Sequence, residues 1–240
     1  MIAENLAEVR KRISQAIQKS GRERGSAHLV TVSKQVSVAR MEEARAAGAV
    51  IFGENKIQEA LPKIEQMGLK GVSWHFIGHL QKNKVKFIDA HFDLIHSVDS
   101  LELAEKIAKH FQSVNLVQSV LLQVNVSGEA SKFGMEPGEL EEHVLDFSRL
   151  RGIRVEGLMT IPPFDPDPEN SRRYFSRLRE LRDQCEKQSG LSLRQLSMGM
   201  SHDFETAIEE GATLVRVGTA IFGARRATPA TGRGASEPLT

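Results

Sequence analysis

The sequence contains a single cysteine, Cys185, among 240 residues. One thiol cannot build an internal disulfide framework or a cysteine-rich metal site. An excess of either charge is also missing, because 32 basic residues face 31 acidic ones and the formal net charge is +1. The basic surface on which nucleic-acid binding depends is therefore lacking, and we expect no nucleic-acid partner.

Long apolar runs are missing too. The longest, around Val120–Leu122 and Leu214–Ala220, fall far below the roughly 20 residues that span a bilayer, so we expect no membrane segment. The first residues, Met1 to Asn5, lack the basic and then apolar order of a secretory signal. We therefore expect a cytoplasmic protein, whose composition of 40% hydrophobic residues is typical of globular chains.

Strand and helix patterns alternate along the chain. Apolar residues at spacings of three and four predict an amphipathic helix over Asn5–Lys19. Eight short apolar runs predict strands at Leu29–Ser33, Val50–Phe52, Trp74–Ile77, Leu94–Val98, Val120–Val126, Val155–Thr160, Gln195–Met198 and Thr213–Val217. Helices are predicted between them at Ala39–Ala47, Lys56–Met67, Leu101–Phe111, Pro137–Leu150, Asn170–Gln188 and Phe204–Glu210.

This alternation favours a parallel sheet with right-handed crossovers. Eight strand–helix units match an α/β fold of the (β/α)8 TIM barrel type, with an extra N-terminal helix, better than an open doubly wound sheet. The glycine fingerprint of a dinucleotide-binding sheet is missing, because Gly211 precedes a strand instead of following one. We expect one barrel domain over residues 1–225 and a flexible C-terminal tail over residues 226–240.

Polar residues follow the first three predicted strands, where such barrels carry their chemistry. Lys34 directly follows the first strand, where partial burial lowers the pKa of an amine and makes it a nucleophile, although a solvated loop lysine is the alternative. Asn55 follows the second strand and His79 the third; a structural, hydrogen-bonded histidine is the alternative for His79. His75 and His79 would not share a helical face, so we expect no metal site.

Small residues follow the last two strands. Gly199 and Ser201 follow the seventh, and Gly218 and Thr219 the eighth. Hydroxyls and backbone N–H groups at adjacent strand ends form an anion-binding concavity, and barrels often hold a phosphate there. Because barrel closure brings the first strand beside the eighth, we expect Lys34 near this corner. A reactive amine beside a phosphate site is what a phosphorylated aldehyde cofactor requires.

Arg216, in the eighth strand, bears on the chemistry of such a cofactor. Pyridoxal phosphate enzymes commonly set a carboxylate against the ring nitrogen and keep it protonated. An arginine there would leave the ring nitrogen neutral and the ring a weaker electron sink. The alternative is an ion pair between Arg216 and a carboxylate such as Glu205 or Glu209.

Six motifs stand in a fixed order along the chain. They are Val32-Ser33-Lys34; Phe52-Gly53-Glu54-Asn55 with Gln58-Glu59; Trp74-His75-Phe76-Ile77-Gly78-His79-Leu80-Gln81 with Asn83-Lys84; Gly157-Leu158-Met159; Ser197-Met198-Gly199-Met200-Ser201; and Arg216-Val217-Gly218-Thr219-Ala220-Ile221-Phe222-Gly223. As an ordered set over roughly residues 5–225, they resemble the pyridoxal phosphate homeostasis protein family.

The resemblance implies a fold-type III barrel like the barrel domain of alanine racemase, with pyridoxal 5′-phosphate as cofactor. It implies that Lys34 holds this cofactor as a Schiff base, and that Arg216 faces the pyridine nitrogen. It implies a phosphate site at Ser201, Gly218 and Thr219. The full implied set of cofactor-binding residues is Lys34, Asn55, His79, Met200, Ser201, Arg216, Gly218 and Thr219.

The resemblance also implies a role in vitamin B6 and amino-acid and keto-acid homeostasis without robust catalysis. We expect a monomer that holds the cofactor, with apo-enzymes that use pyridoxal phosphate or a regulatory protein as further partners. The first alternative is a slow amino-acid racemase, but racemisation needs proton donors on both faces of the ring, and the only tyrosine, Tyr174, falls on a predicted helix. The second is a phosphate-binding barrel enzyme in which Lys34 forms a Schiff base without this cofactor.

Two further residues have open or modest roles. Lys132, after the fifth strand, either offers a second amine at the same rim or is a solvated loop lysine. Cys185 falls within a predicted helix, where we expect it to pack without reacting.

Overall fold

The computed structural model describes residues 1–88, 91–129 and 131–223. Eight parallel strands close into a barrel in sequence order, and β1 pairs with β8. They are β1 (His28–Val32), β2 (Ile51–Glu54), β3 (Ser73–Phe76), β4 (Leu94–Val98), β5 (Gln118–Gln123), β6 (Ile153–Met159), β7 (Gln195–Met200) and β8 (Leu214–Val217). The predicted (β/α)8 barrel is confirmed. The predicted tail, residues 226–240, lies outside the described residues.

Eight helices accompany the strands. They are α1 (Ile2–Lys19), α2 (Val38–Ala46), α3 (Ile57–Met67), α4 (Leu101–Ser113), α5 (Pro137–Arg149), α6 (Arg172–Ser189), α7 (Phe204–Glu209) and α8 (Thr219–Phe222). Short 3-10 helices span Lys82–Phe87 and Pro168–Ser171. None of the helices in the described ranges combines the length and apolar character needed to cross a bilayer.

The extra helix α1 precedes the barrel, as predicted, and packs on α2, α7 and α8. Its buried positions recur at helical spacing, with Leu6, Val9 and Ile13 among them. The Asn5 side chain also donates to the Ile221 carbonyl at 3.0 Å. The first helix is thereby bonded to α8, the last helix among the described residues.

Two apolar clusters stabilise the barrel. The larger one fills the space between strands and helices and includes the fully buried Trp74 and Phe52. The smaller one takes one residue from each of five strands, namely Val30, Leu94, Leu121, Met159 and Leu214. Because alternate strand residues face opposite sides of a sheet, this second cluster fills the barrel interior.

Several boundaries differ from the predicted ones. β5 ends at Gln123 instead of Val126; Val124 still donates to the Met159 carbonyl of β6, but it pairs with Met135 through an isolated bridge. β7 continues past Met198 to Met200, because Gly199 adopts a φ of +88° and absorbs a shift in register against β8. The patterns also did not predict the 3-10 helix Lys82–Phe87 or the short helix α8.

Candidate functional site

A cavity of about 530 Å³ opens where the strands end. The structure places all eight residues predicted for the site in its lining: Lys34, Asn55, His79, Met200, Ser201, Arg216, Gly218 and Thr219. They arrive from the ends of five different strands, β1, β2, β3, β7 and β8. The lining also has apolar walls, formed among others by Val32, Ile77 and Ile161.

Lys34 lies two residues beyond β1 and is half-buried at the edge of the cavity. β1 pairs with β8, with Thr31 opposite Val217, so the chain that carries Lys34 leaves the sheet beside Gly218. A Cβ on Gly218 would lie 3.0 Å from the Val32 carbonyl oxygen. The lack of a side chain at Gly218 therefore keeps the two strand ends close together.

Arg216 is almost completely buried and lines the cavity floor from β8. Its Nη1 donates to Ser197 Oγ at 2.5 Å, and its Nη2 donates to the Thr160 carbonyl at 2.8 Å. Burial lowers the pKa of Arg216 to about 10, so the guanidinium remains a cation at neutral pH. The alternative partners do not hold: Glu205 pairs with Arg12, and Glu209 pairs with Lys19 and Arg172.

A hydrogen-bonded chain continues from Arg216 through the barrel interior. Nδ1 of His96 lies 2.8 Å from Ser197 Oγ, and Nε2 of His96 lies 2.9 Å from Nδ1 of His75. Burial lowers the pKa of His75 to about 4 and the pKa of His96 well below its usual value, so both rings are neutral at pH 7. Either direction of donation satisfies these contacts: Ser197 donates to His96 and His96 to His75, or His75 donates to His96 and His96 to Ser197.

Aromatic pairs flank the cavity mouth. The His79 ring stacks on Phe133 with 4.0 Å between centroids, and its Nδ1 lies 3.0 Å from an Asp99 carboxylate oxygen. Between the loops that follow β6 and β7, the rings of Phe164 and His202 lie 4.8 Å apart. His79 thus contacts Asp99 and Phe133 and also lines the cavity. The structural role and the site role that the sequence suggested for it are compatible.

Three other residues singled out from the sequence lie away from the cavity lining. Tyr174 lies on α6, where its hydroxyl accepts a hydrogen bond from Arg173. Lys132 adjoins the lining residue Phe133 without lining the cavity itself. Cys185 is fully buried on α6, and burial raises the pKa of its thiol to about 11, which agrees with the expected inert packing.

The sequence interpretation missed the polar residues that support the site from within. Ser197 and His96 lie inside strands, and the sequence patterns assign no role to either side chain, although Ser197 belongs to one of the six motifs. Glu54 and Lys63 are also buried, and they form an ion pair beside the Lys34 segment. A buried polar residue in an otherwise apolar run is the signal available for such groups, because buried polar groups need partners.

The chain matches the family described as alanine racemase, N-terminal domain, over residues 4–226. It is 47% identical over 223 residues to the pyridoxal phosphate homeostasis protein of Aquifex aeolicus, covering 93% of this chain and 98% of that one. The Escherichia coli K12 protein of the same name is 40% identical over 232 residues, covering 93% and 97%.

Solved structures give a consistent result. PipY of Synechococcus elongatus, with pyridoxal phosphate bound, is similar with a TM-score of 0.82 and 36% identity, covering 93% of this chain and all of that one. Alanine racemase of Clostridium difficile 630 has a TM-score of 0.75 at 16% identity, covering 93% of this chain and 58% of that one. The second likeness concerns the fold alone.

Proposed function

Because this chain belongs to the pyridoxal phosphate homeostasis proteins, whose barrel matches the N-terminal domain of alanine racemase, we propose that it binds pyridoxal 5′-phosphate and serves in its homeostasis. The observation that carries the proposal is the convergence of all eight predicted residues on one cavity. The bound cofactor in the related PipY structure supports the same ligand.

The chemistry of the cavity lining fits this cofactor. Lys34 supplies an amine, Ser201 and Thr219 supply hydroxyls, and Arg216 supplies a buried cation. The apolar walls suit an aromatic ring, and the small corner beside Gly218 suits a phosphate. An amine, a phosphate corner and an apolar slot within one cavity match the three parts of pyridoxal phosphate.

Each residue of the lining has a proposed role. Lys34 would hold the aldehyde carbon of the cofactor through its amine as a Schiff base, whose formation releases one water. Ser201, Gly218 and Thr219 hold the phosphate, with Met200 beside them, while Asn55 and His79 line the mouth. When bound, pyridoxal phosphate supplies an aldehyde that passes reversibly between amines.

Arg216 faces the pyridine nitrogen in this proposal. Its guanidinium has only N–H donors, and it remains protonated at neutral pH, so it cannot pass a proton to the ring nitrogen and hold it as a cation. Carbanion chemistry at a bound amino acid then gains little stabilisation. The arrangement supports a carrier that holds the cofactor in preference to an efficient enzyme.

The test is an absorption spectrum of the purified protein, followed by borohydride reduction and peptide mass analysis. We expect a yellow wild type labelled at Lys34, loss of the aldimine-type band in Lys34→Ala, and an unchanged band in the control Lys132→Ala. A wild type that stays colourless after addition of pyridoxal phosphate would refute the proposal, and leave a phosphate-binding barrel that uses Lys34 in another way.

A slow amino-acid racemase is the second candidate, favoured by the match to the family described as alanine racemase, N-terminal domain. The position of Tyr174, on α6 and outside the cavity lining, supports the carrier instead. Incubation with L-alanine in deuterated water separates the two, because a racemase yields deuterated D-alanine. Exchange at Cα without inversion would indicate that only one face carries an acid or base.

We further propose a cytoplasmic monomer whose open cavity delivers the cofactor to apo-enzymes or serves a regulatory protein. The support is the position of the cavity at the strand ends, where exposed Phe133 and Phe164 form its rim. Sedimentation at several concentrations should give the mass of one chain. Transfer is measured by the recovery of activity when an apo-enzyme that needs pyridoxal phosphate is mixed with the loaded protein.

A further inference from the structure

Three charged side chains form a cluster next to the Lys34 turn. Glu54 ends β2, and Glu59 and Lys63 lie four residues apart on α3. Lys63 Nζ lies 2.9 Å from an oxygen of Glu54 and 2.7 Å from one of Glu59. The side chains of Glu54 and Lys63 are 0% and 9% exposed, so this pair is shielded from water, whereas Glu59 is 26% exposed.

The cluster bonds the residues on both sides of Lys34. On one side, Lys63 Nζ donates to the Ser33 carbonyl at 2.9 Å, and the Ser33 hydroxyl donates to Glu54 at 2.6 Å. On the other side, the backbone N–H of Gln35 donates to the Glu59 carboxylate. Lys34 is thus held between two peptide units that are anchored to the same three charges.

Gln35 requires such an anchor. Its φ is +60°, in the left-handed region that non-glycine residues adopt at a cost. Strain of this kind persists only where surrounding contacts oppose it. Two contacts do so here: the Gln35 amide donates to Glu59, and the Val36 amide donates to the Ser33 carbonyl at 3.0 Å and closes the turn.

The charge distribution agrees with an anchoring role. Lys63 uses its three ammonium hydrogens on Ser33, Glu54 and Glu59, which leaves none for a further ligand. Burial raises the pKa of Glu54 in spite of its hydrogen bonds. For Glu59 burial acts the same way, but hydrogen bonds from Lys63 and the Gln35 amide outweigh it and lower the pKa. The contacts of Glu59, which accepts from the Gln35 amide, therefore favour the charged form of its carboxyl.

We infer that Glu54, Glu59 and Lys63 are positioning residues, which hold the turn on which Lys34 stands so that its amine meets the cofactor. A buried ion cluster is seldom retained for stability alone, because desolvation offsets much of its attraction. The inference deepens the proposed function and rests on it for the identity of the ligand. The part of the inference that concerns the Lys34 turn can be tested on the protein without cofactor.

The test compares Glu59→Ala with Glu65→Ala, which removes an exposed carboxylate from the same helix. In the protein without cofactor, we expect hydrogen exchange of the Gln35 amide in Glu59→Ala to accelerate about tenfold. The rate of reductive methylation of Lys34, measured by mass spectrometry of the peptide that contains it, should differ from the rate in wild type. The dissociation constant for pyridoxal phosphate should rise about tenfold. Glu65→Ala should match wild type in all three readouts.

Two more variants separate positioning from general damage. Glu59→Gln keeps an oxygen acceptor for the Gln35 amide and should recover most of the affinity. Gln35→Asn, placed in the Glu59→Ala background, should also recover affinity, because asparagine tolerates the left-handed conformation better than glutamine. Thermal unfolding followed by circular dichroism checks that each variant folds.

Wild-type exchange at Gln35 in Glu59→Ala would overturn the inference, and so would faster exchange with unchanged Lys34 methylation and cofactor affinity. Should the wild type itself bind no pyridoxal phosphate, the proposed function fails by that observation. The exchange and methylation rates, measured without cofactor, then still decide whether the cluster positions Lys34.

Discussion

His75 and His96 meet inside the barrel with 2.9 Å between Nδ1 of His75 and Nε2 of His96. A contact this short between two histidines requires one ring to donate and the other to accept, so the pair is stable only when at least one ring is neutral. Their strands, β3 and β4, are neighbours, and His96 continues the chain to Ser197 and from there to Arg216. The neutral pair therefore supports the buried cation at the cavity floor.

The first prediction concerns pH. The pKa of His75 is lowered by burial to about 4, whereas in the unfolded chain it lies near 6.5. Between these values the unfolded chain binds more protons, so the free energy of unfolding falls as the pH falls from 6.5 to 4, by about 3 kcal/mol for this group. Urea unfolding at pH 7, 5 and 4 measures the loss, which should be smaller in His75→Gln. If the free energy of unfolding fell with pH by the same amount in wild type and His75→Gln, His75 would not be the group responsible for the loss.

The second prediction concerns Ser197. Replacement by alanine removes the acceptor for Arg216 Nη1 and leaves a buried N–H unpaired. We expect Ser197→Ala to lower the free energy of unfolding by about 1–3 kcal/mol. The control is Ser192→Ala, at an exposed serine that contacts Arg194, which should change it by no more than about 0.5 kcal/mol. Equal effects of the two substitutions would argue against a supporting role for Ser197.

The third prediction concerns Gly78, at the cavity mouth. A Cβ there would lie 2.1 Å from the Asn55 carbonyl oxygen, so Gly78→Ala has to displace the backbone that carries Asn55. We expect a loss of about 1–3 kcal/mol in unfolding free energy and weaker cofactor binding. Gly138→Ala on α5, where a Cβ meets open space, should be neutral or stabilise by about 0.5–1 kcal/mol. Unchanged cofactor affinity in Gly78→Ala would indicate that Asn55 does not contribute to cofactor binding.

The fourth prediction concerns Cys185. Its thiol is fully buried, and its pKa is raised to about 11, so the reactive thiolate is scarce at pH 8. We expect no reaction of the native protein with a chromogenic disulfide reagent, and release of one thiol equivalent per chain in denaturant. Rapid reaction under native conditions would indicate that α6 opens.

The barrel could be predicted because its signals are local. Each strand is a short apolar run, and each amphipathic helix shows its own spacing, as in α1 with Leu6 and Val9. The site followed from the same pattern, since residues directly after strands of a parallel barrel share one end. Lys34 and Thr219 could therefore be placed together from sequence position alone, before any contact was known.

What could not be predicted depends on contacts between distant parts of the chain. The end of β5 is set by a bridge to Met135. From the sequence, two carboxylates were possible partners for Arg216, yet its guanidinium donates to Ser197 and Thr160. Strand register, and not charge, decides which groups a buried side chain can contact. The residues next to His96 and Lys63 in the sequence do not indicate their hydrogen-bond partners, because those partners lie on other elements.

The pairing of β1 with β8 has a consequence for synthesis of the protein. Lys34 emerges from the ribosome early, and Thr219 emerges among the last described residues. A growing chain holds the amine and lacks the Gly218 and Thr219 side of the cavity until β8 takes its place beside β1. The complete site thus exists only in the finished barrel, so binding of the cofactor indicates that the barrel has finished folding.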